Sequence, residues 1–289
     1  MACFAQGELS SLEPPVGTKI REAIEKEGAL NIVVCVKQTV DTAATVTVSS
    51  GEISWGDAPL VLNPWDEYAV EQALLSKEAH GGKVTAISLG SEGAQDALKQ
   101  ALAMGCDEAI LISDAAFDNA DSLVVSKALA AAITKLGEID LAFFGRQAVD
   151  SDTGVTFAQV ARRLGWPALS LVAKVEELDP GAGTISVERM LGGSRQKLRS
   201  KLPAVVSGVK ELNEPRYPSF MGIRKASRAE IPVWSAGDIG LTEVPKAALS
   251  WPMVFAPPKI ETKCEVIEGE TAAELAGKLA DRLLEEKVI

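Results

Sequence analysis

The chain has 289 residues, 47% of them hydrophobic and 24% charged, with a formal net charge of -11. That length suits one large domain, or one domain of roughly 200 residues with appendages. The acidic balance, without a Lys/Arg stripe, argues against nucleic acid as a partner, and no apolar run approaches the roughly 20 residues of a membrane span.

Four cysteines without a CxxC pair, beside the single His80, argue against a zinc site and fit a reducing compartment. In residues 1–30, "TKIREAIEKEG" predicts a short helix and "LEPP" a linker. The stretch lacks the apolar core of a signal peptide and is too rich in glutamate for a transit peptide, so a cytoplasmic protein is expected.

From Asn31 the elements follow in order. "NIVVCVK" reads as a buried strand with Cys35 as a small core residue. "ATVTV" and "EISWG" read as an antiparallel excursion with a turn at "SSG". "NPWDEYAVEQALLSKEAHGG" predicts a helix, with Asn63 as N-cap, Pro64 at the first helical position and Asp66 in the first turn. Ala69, Ala73 and Leu74 recur at helical spacing, Gly81 and Gly82 stop the helix, and His80 is a solvated helix-end residue. "KVTAISLG", "EAILISD" and "IDLAFFG" are further apolar strands, each followed by a helix: "SEGAQDALKQALAMG" with Leu98 and Leu102 inward, "DSLVVSKALAAAITKLG", and "TGVTFAQVARRLG". Four such strand–helix pairs imply an α/β fold, an open, mostly parallel sheet with helices on both faces. After Trp166, "LSLVAKVEEL", "TISVERML" and "LPAVVSGV" are short strands that either extend one edge of that sheet or form a small second one.

From Asn213 the chain reads as an extended C-terminal arm, either seeking a partner surface or packed on its own domain. A terminal helix has Thr271 as N-cap and Leu275, Leu279 and Leu283 on one face. The expected organisation is therefore an extension (1–30), a nucleotide-binding α/β domain (31–212), and an arm with a terminal helix (213–289).

In such a sheet, ligands bind outside the carboxyl ends of the strands. Three ends compete: "KQTVDTAA", "LGSEGAQ" and "GRQAVDSDTGVT". In the last, Gly145 ends the strand and Asp152 or Thr153 can cap the next helix. The N–H groups from Gly154 to Thr156, with the hydroxyls of Ser151, Thr153 and Thr156, form an anion cradle. None of the loops is a GxGxxG or Walker A motif. Asp150 and Asp152 could also be a metal or catalytic pair, but no nucleophile accompanies them. Asp150 suits a hydrogen bond from ribose or backbone, and Asp152 suits a cap. Nucleotide binding, hydrolysis and a plain strand–helix connection all stay open on these residues.

The segments "VCVKQTVD", "LNPWDEYAVEQALLSKE", "ALAMGCDEAIL", "LAFFGRQAVDSDTG" and "KLPAVVSGVKELNEPRY", in this order between about Asn31 and Gly240, resemble the β subunit of electron transfer flavoprotein. The N-terminal extension has no counterpart. The resemblance implies an adenine-nucleotide-hydrolase-like or flavodoxin-like domain and an arm wrapped around an α subunit that holds most of an FAD. It also implies an AMP, or in electron-bifurcating relatives a second FAD, in the crevice of this chain. Carried over by position, the nucleotide contacts are Cys35, Asn63, Pro64, Trp65, Asp66, Leu89, and the loop Gly145, Arg146, Gln147, Ala148, Val149, Asp150, Ser151, Asp152, Thr153, Gly154, Val155 and Thr156. Thr42 and Trp65 match positions near the flavin ring.

Two departures stand out. Gly154, Val155 and Thr156 occupy the place of an Asn-Gln-Thr run in AMP-binding members, and bifurcating members usually keep the Gln; Thr156 favours AMP. In "VERMLGGSRQKLRSKLP", matched to a dehydrogenase-recognition segment, Gly192, Ser194 and Arg195 replace acidic residues and a leucine anchor, so a changed dehydrogenase partner is expected. The implied function is electron carriage from flavin dehydrogenases, such as acyl-CoA dehydrogenases of fatty acid β-oxidation, toward a membrane quinone reductase, with no catalytic residue in this chain. The alternatives are a bifurcating relative, an adenine-nucleotide hydrolase or ligase of related fold, and a stand-alone nucleotide sensor.

Overall fold

The computed structural model describes residues 29–251, 253–258 and 264–289. The helix expected at "TKIREAIEKEG" lies outside the described residues. The elements run β1 (Leu30–Cys35), β2 (Gln38–Val40), β3 (Thr47–Ser49), β4 (Glu52–Ser54), β5 (Leu60–Leu62), α1 (Pro64–His80), β6 (Gly82–Leu89), α2 (Gln95–Met104) and β7 (Glu108–Ile112). Then follow α3 (Ser122–Leu136), β8 (Leu141–Phe144), α4 (Thr156–Leu164), β9 (Ala168–Asp179), β10 (Thr184–Leu191), β11 (Ser194–Lys201), β12 (Ala204–Gly208), α5 (Phe220–Ala226), β13 (Val233–Trp234) and α6 (Ala272–Glu285).

The main sheet has nine strands in the order β11-β10-β9-β12-β8-β1-β6-β7-β13. β1 pairs in parallel with β6 and β8, and β7 pairs in parallel with β6 and β13. Alternate residues of β1 face opposite sides, as a pleated strand requires. Ile32 and Val34 join Ala69, Ala73 and Leu74 of α1 and Leu98 of α2 in one core. Val33 and Cys35 join Ala128 and Ile133 of α3 and Val160 of α4 in the other. Both faces are buried, which is why these strands read as unbroken apolar runs.

The strands after Trp166 extend the main sheet rather than founding a second one. β12 inserts between β9 and β8, parallel to both, because Ala204–Val206 is as completely buried as the inner strands. β9, β10 and β11 then run antiparallel to one another at the edge. At the opposite edge β13 adds two residues from the segment after Asn213.

The chain folds as two units. One holds the nine-stranded sheet and its helices. The other consists of residues 47–53 and 253–289. In the second, Ser50 and Gly51 both take positive φ (54° and 83°), the geometry of a tight turn between β3 and β4. Thr271 caps α6 as expected, its hydroxyl accepting the Glu274 N–H at 3.2 Å, while the Glu274 carboxylate accepts the N–H of Glu270. Leu275 and Leu279 stay exposed on that helix. Among the described residues no helix is long and apolar enough to cross a membrane.

Candidate functional site

The chain passes from β1 to β6 and β7 on one side of β1, then crosses to β8 on the other. The strand order reverses at β1, so a crevice opens between the carboxyl ends of β1 and β8. In register, Cys35 lies between Ile87 and Phe144 at those ends. The start of α1 and the loop 145–156 meet there.

Asn63 does not cap α1 with its side chain, contrary to expectation. It is fully buried, and its amide instead bridges to the loop: Nδ2 donates to the Gln147 carbonyl at 2.9 Å, and Oδ1 accepts the Val149 N–H at 3.1 Å. A buried primary amide must satisfy both ends, and the loop offers one acceptor and one donor at the right separation. The helix start is met by the Asn63 carbonyl, which accepts the Asp66 N–H at 2.8 Å.

Asp66 is buried too, and its carboxylate accepts N–H groups from Lys37 (2.8 Å) and Gly145. It therefore pins the ends of both β1 and β8. Burial pushes this acid up to about 7, against the opposing pull of the hydrogen bonds from the Lys37 N–H, the Asn63 side chain and the Gly145 N–H. Burial, and then the nearby Asp66 charge, hold the Cys35 thiol well above its ordinary range, so it is a packing residue rather than a nucleophile. Gly145 is obligatory here: a Cβ would sit 2.6 Å from the Trp65 carbonyl carbon and oxygen. The Ser207 hydroxyl donates to the Gly145 carbonyl at 3.0 Å.

Both loop aspartates are engaged. Asp150 receives the Lys37 ammonium on both oxygens, at 2.8 and 2.6 Å, and Asp152 accepts the Gln147 amide at 2.6 Å. Contrary to expectation, neither Asp152 nor Thr153 caps α4; the N-cap position is Val155, whose side chain makes no such bond. Asp152 instead takes a left-handed conformation (φ 50°), as Gly154 does (φ 59°), and the chain turns twice before the helix begins. The N–H groups from Thr153 to Ala158 have no acceptor among the described residues. They form the exposed donor row of a loop-to-helix cradle.

Trp65 is half-buried beside the crevice, with the Arg146 guanidinium 5.4 Å from its ring centroid. Thr42 is exposed in the turn after β2. At the end of β6, Leu89 is half-buried and Gly90 donates to the Ile112 carbonyl at 3.1 Å. The hydroxyls of Ser88, which precedes Leu89, and of Thr39 in β2 are buried without a hydrogen-bond partner among the described residues. His80 ends α1 half-buried, and no metal-binding cluster occurs among the described residues. A surface groove of about 680 Å³ involves Lys127, Thr134, Arg163 and Trp166 and contains none of these strand-end residues. Sequence reasoning missed Lys37 altogether. Its one signal is position, as the first polar residue after the buried run of β1.

Residues 56–239 match the electron transfer flavoprotein domain. The chain belongs to the electron transfer flavoprotein family. Across 221 residues it is 40% identical to the electron transfer flavoprotein subunit beta of Clostridium acetobutylicum, covering 76% of this chain and 83% of the relative. It is 36% identical to the protein FixA of Azorhizobium caulinodans, covering 84% of this chain and 90% of that one. It is also 36% identical to the caffeyl-CoA reductase-Etf complex subunit CarD of Acetobacterium woodii, covering 90% and 100% respectively. As an electron transfer flavoprotein β-type chain it has the mixed, mostly parallel sheet and flanking helices that its sequence pattern implied.

Proposed function

We propose that this β subunit pairs with an α subunit holding most of an FAD, and that its own crevice holds an adenine nucleotide as a fixed brace. AMP is the first reading and a second FAD the alternative. The observation that carries this is the cradle itself: free N–H groups from Thr153 to Ala158, next to a loop tied at Asn63, Asp66 and Lys37. The residues present fit an adenylate. Helix-start donors suit a phosphate, Gly145 lets the loop lie against the Trp65 backbone, and each loop aspartate is held by a partner side chain.

In this reading Thr153, Gly154, Val155 and Thr156 bind the anionic end through backbone N–H groups. Cys35 and Leu89 line the strand ends, and Gly145 allows the loop to lie on Trp65. A flavin, when bound at the seam with the α subunit, supplies the electron-transfer chemistry. Trp65 and Arg146 shape the rim of that seam and exclude water. The Asp150 and Asp152 carboxylates of the loop are held by Lys37 and Gln147 rather than free to act as bases.

Assembly with another chain is supported by apolar side chains left in solvent: Tyr217, Phe220 and Met221 in the first unit, and Met253 and Phe255 in the second. Flavin dehydrogenases would donate the electrons and a quinone reductase accept them. The free thiols of Cys35, Cys106 and Cys264 fit a cytoplasmic setting. Co-expression with an α subunit, acid release of bound nucleotides and chromatography tests the proposal. One FAD and one AMP per heterodimer is the expected result, and two FAD selects the bifurcating alternative. A heterodimer free of adenylate and flavin overturns both.

A further inference from the structure

We propose that Lys37 is the positioning residue of the nucleotide loop, holding Asp150 so that the donor row faces an anion with no uncompensated carboxylate beside it. The proposal rests on the adenylate reading of the crevice. Lys37 is fixed by its backbone before its side chain acts. Its N–H donates to Asp66 at 2.8 Å and its carbonyl accepts the Asn63 N–H at 2.9 Å, so the start of α1 grips it on both sides. From that anchored position the ammonium reaches both oxygens of Asp150, 113 residues along the chain. One residue thus joins the end of β1, the start of α1 and the loop after β8.

The charges explain why a cation is needed. The loop carries two carboxylates, Asp150 and Asp152, immediately before the N–H groups of Thr153 to Ala158. Asp152 is satisfied by the Gln147 amide, which is neutral. Arg146, the loop's own cation, lies over the Trp65 ring instead. Lys37 is therefore the group that cancels loop charge. Both partners are partly exposed, at 45% and 37% of their side chains, so the pair contributes little to global stability. Its effect falls on the local position and charge of the loop.

The test uses the purified heterodimer with K37M, D150N and K37M/D150N, AMP as the probe, and hydrogen exchange at the amides of Ser151 and Asp152. K37M is expected to weaken AMP binding about two- to fivefold at low salt, with the gap closing as ionic strength rises. D150N, which frees the loop but also removes the carboxylate that Lys37 offsets, should lose less AMP affinity than K37M, and the double variant should match D150N to within about twofold. In exchange, each single variant loosens the loop and the double variant loosens it no further, because one contact is lost in all three. A double variant as weak for AMP as K37M means that Lys37 touches the ligand directly, and overturns the proposal. So does loop exchange that is unchanged in K37M, or additive in the double variant. Should the wild type bind no AMP, the adenylate reading falls, while the exchange measurements still decide whether Lys37 holds the loop.

Discussion

Replacing Asn63 tests the stitch between α1 and the loop. The side chain is fully buried and ties the loop by two bonds, 2.9 Å to the Gln147 carbonyl and 3.1 Å from the Val149 N–H. Asn63→Ala removes both and leaves an acceptor and a donor unsatisfied, at about 1–3 kcal/mol each. Water entering the space left behind relieves part of this, so a total near ~3 kcal/mol is expected. For a domain of this size that lowers Tm by about 6–12 °C. Asn63→Asp separates geometry from charge. It keeps the acceptor for Val149 but turns a carboxylate oxygen toward the Gln147 carbonyl, close to the buried Asp66. Its loss should exceed that of the alanine variant near neutral pH. It should shrink in acid, where a protonated carboxyl donates to Gln147 in place of the amide. Circular-dichroism melts of both variants at acidic and neutral pH read this out. An alanine variant melting within about 1 °C of wild type, or an aspartate variant whose deficit does not change with pH, refutes the stitch.

The remaining expectations concern four other sites. Gly145→Ala places a Cβ 2.6 Å from the Trp65 backbone, which cannot rotate away, and should cost about 1–3 kcal/mol in urea unfolding; an unchanged midpoint contradicts it. Asp66 has its acid raised to about 7 by burial, against about 3.9 in an unfolded chain. Its contribution to stability is therefore full below about pH 4 and lost as pH rises to about 7. The Tm gap between wild type and Asp66→Asn should vary across that window, and a constant gap would count against the reading. Arg216 pairs with Glu71, whose side chain is 6% exposed, and with Glu78, at 54%. Arg216→Met strands a buried carboxylate and should cost about 3–5 kcal/mol, whereas Glu78→Gln should cost under ~1 kcal/mol; equal urea midpoints would disprove the difference. Arg195, paired with Glu188 across the β10–β11 hairpin, carries the proposed change of dehydrogenase partner. Arg195→Leu should alter electron transfer with at least one candidate dehydrogenase, and no change with any of them removes the idea.

The order of the inner strands and the helices that follow them was legible because each such strand is buried on both faces and each such helix carries its own stop or cap, whereas β2, β5, α5 and β13 are too short to carry a pattern. Asp121 and Thr271 cap where local chemistry puts them. Asn63 and Asp152 show where that logic fails. Both stand where a capping residue is expected, yet each side chain is taken by a stronger demand. For Asn63 that demand comes from a loop more than 80 residues on; for Asp152 it comes from Gln147 and from a positive φ that carries the residue away from the helix start. The Lys37–Asp150 pair was out of reach of any local pattern. The placement of β9–β12 in the main sheet was undecidable from alternation alone, since partner choice depends on which edge is open once β8 is in place.

The tetrapeptide from Asn63 to Asp66 divides its labour by direction. Asn63 and Asp66 point inward and fix the loop and both strand ends. Pro64 starts the helix, and Trp65 remains half-buried at the rim under Arg146. Because Gly145 packs directly on the Trp65 backbone, the loop and the tryptophan cannot move independently. A ligand that orders the loop therefore orders the rim as well. On the proposed reading this gives a bound nucleotide its use: electron transfer needs fixed geometry around a cofactor, and the brace would supply it from outside the redox centre.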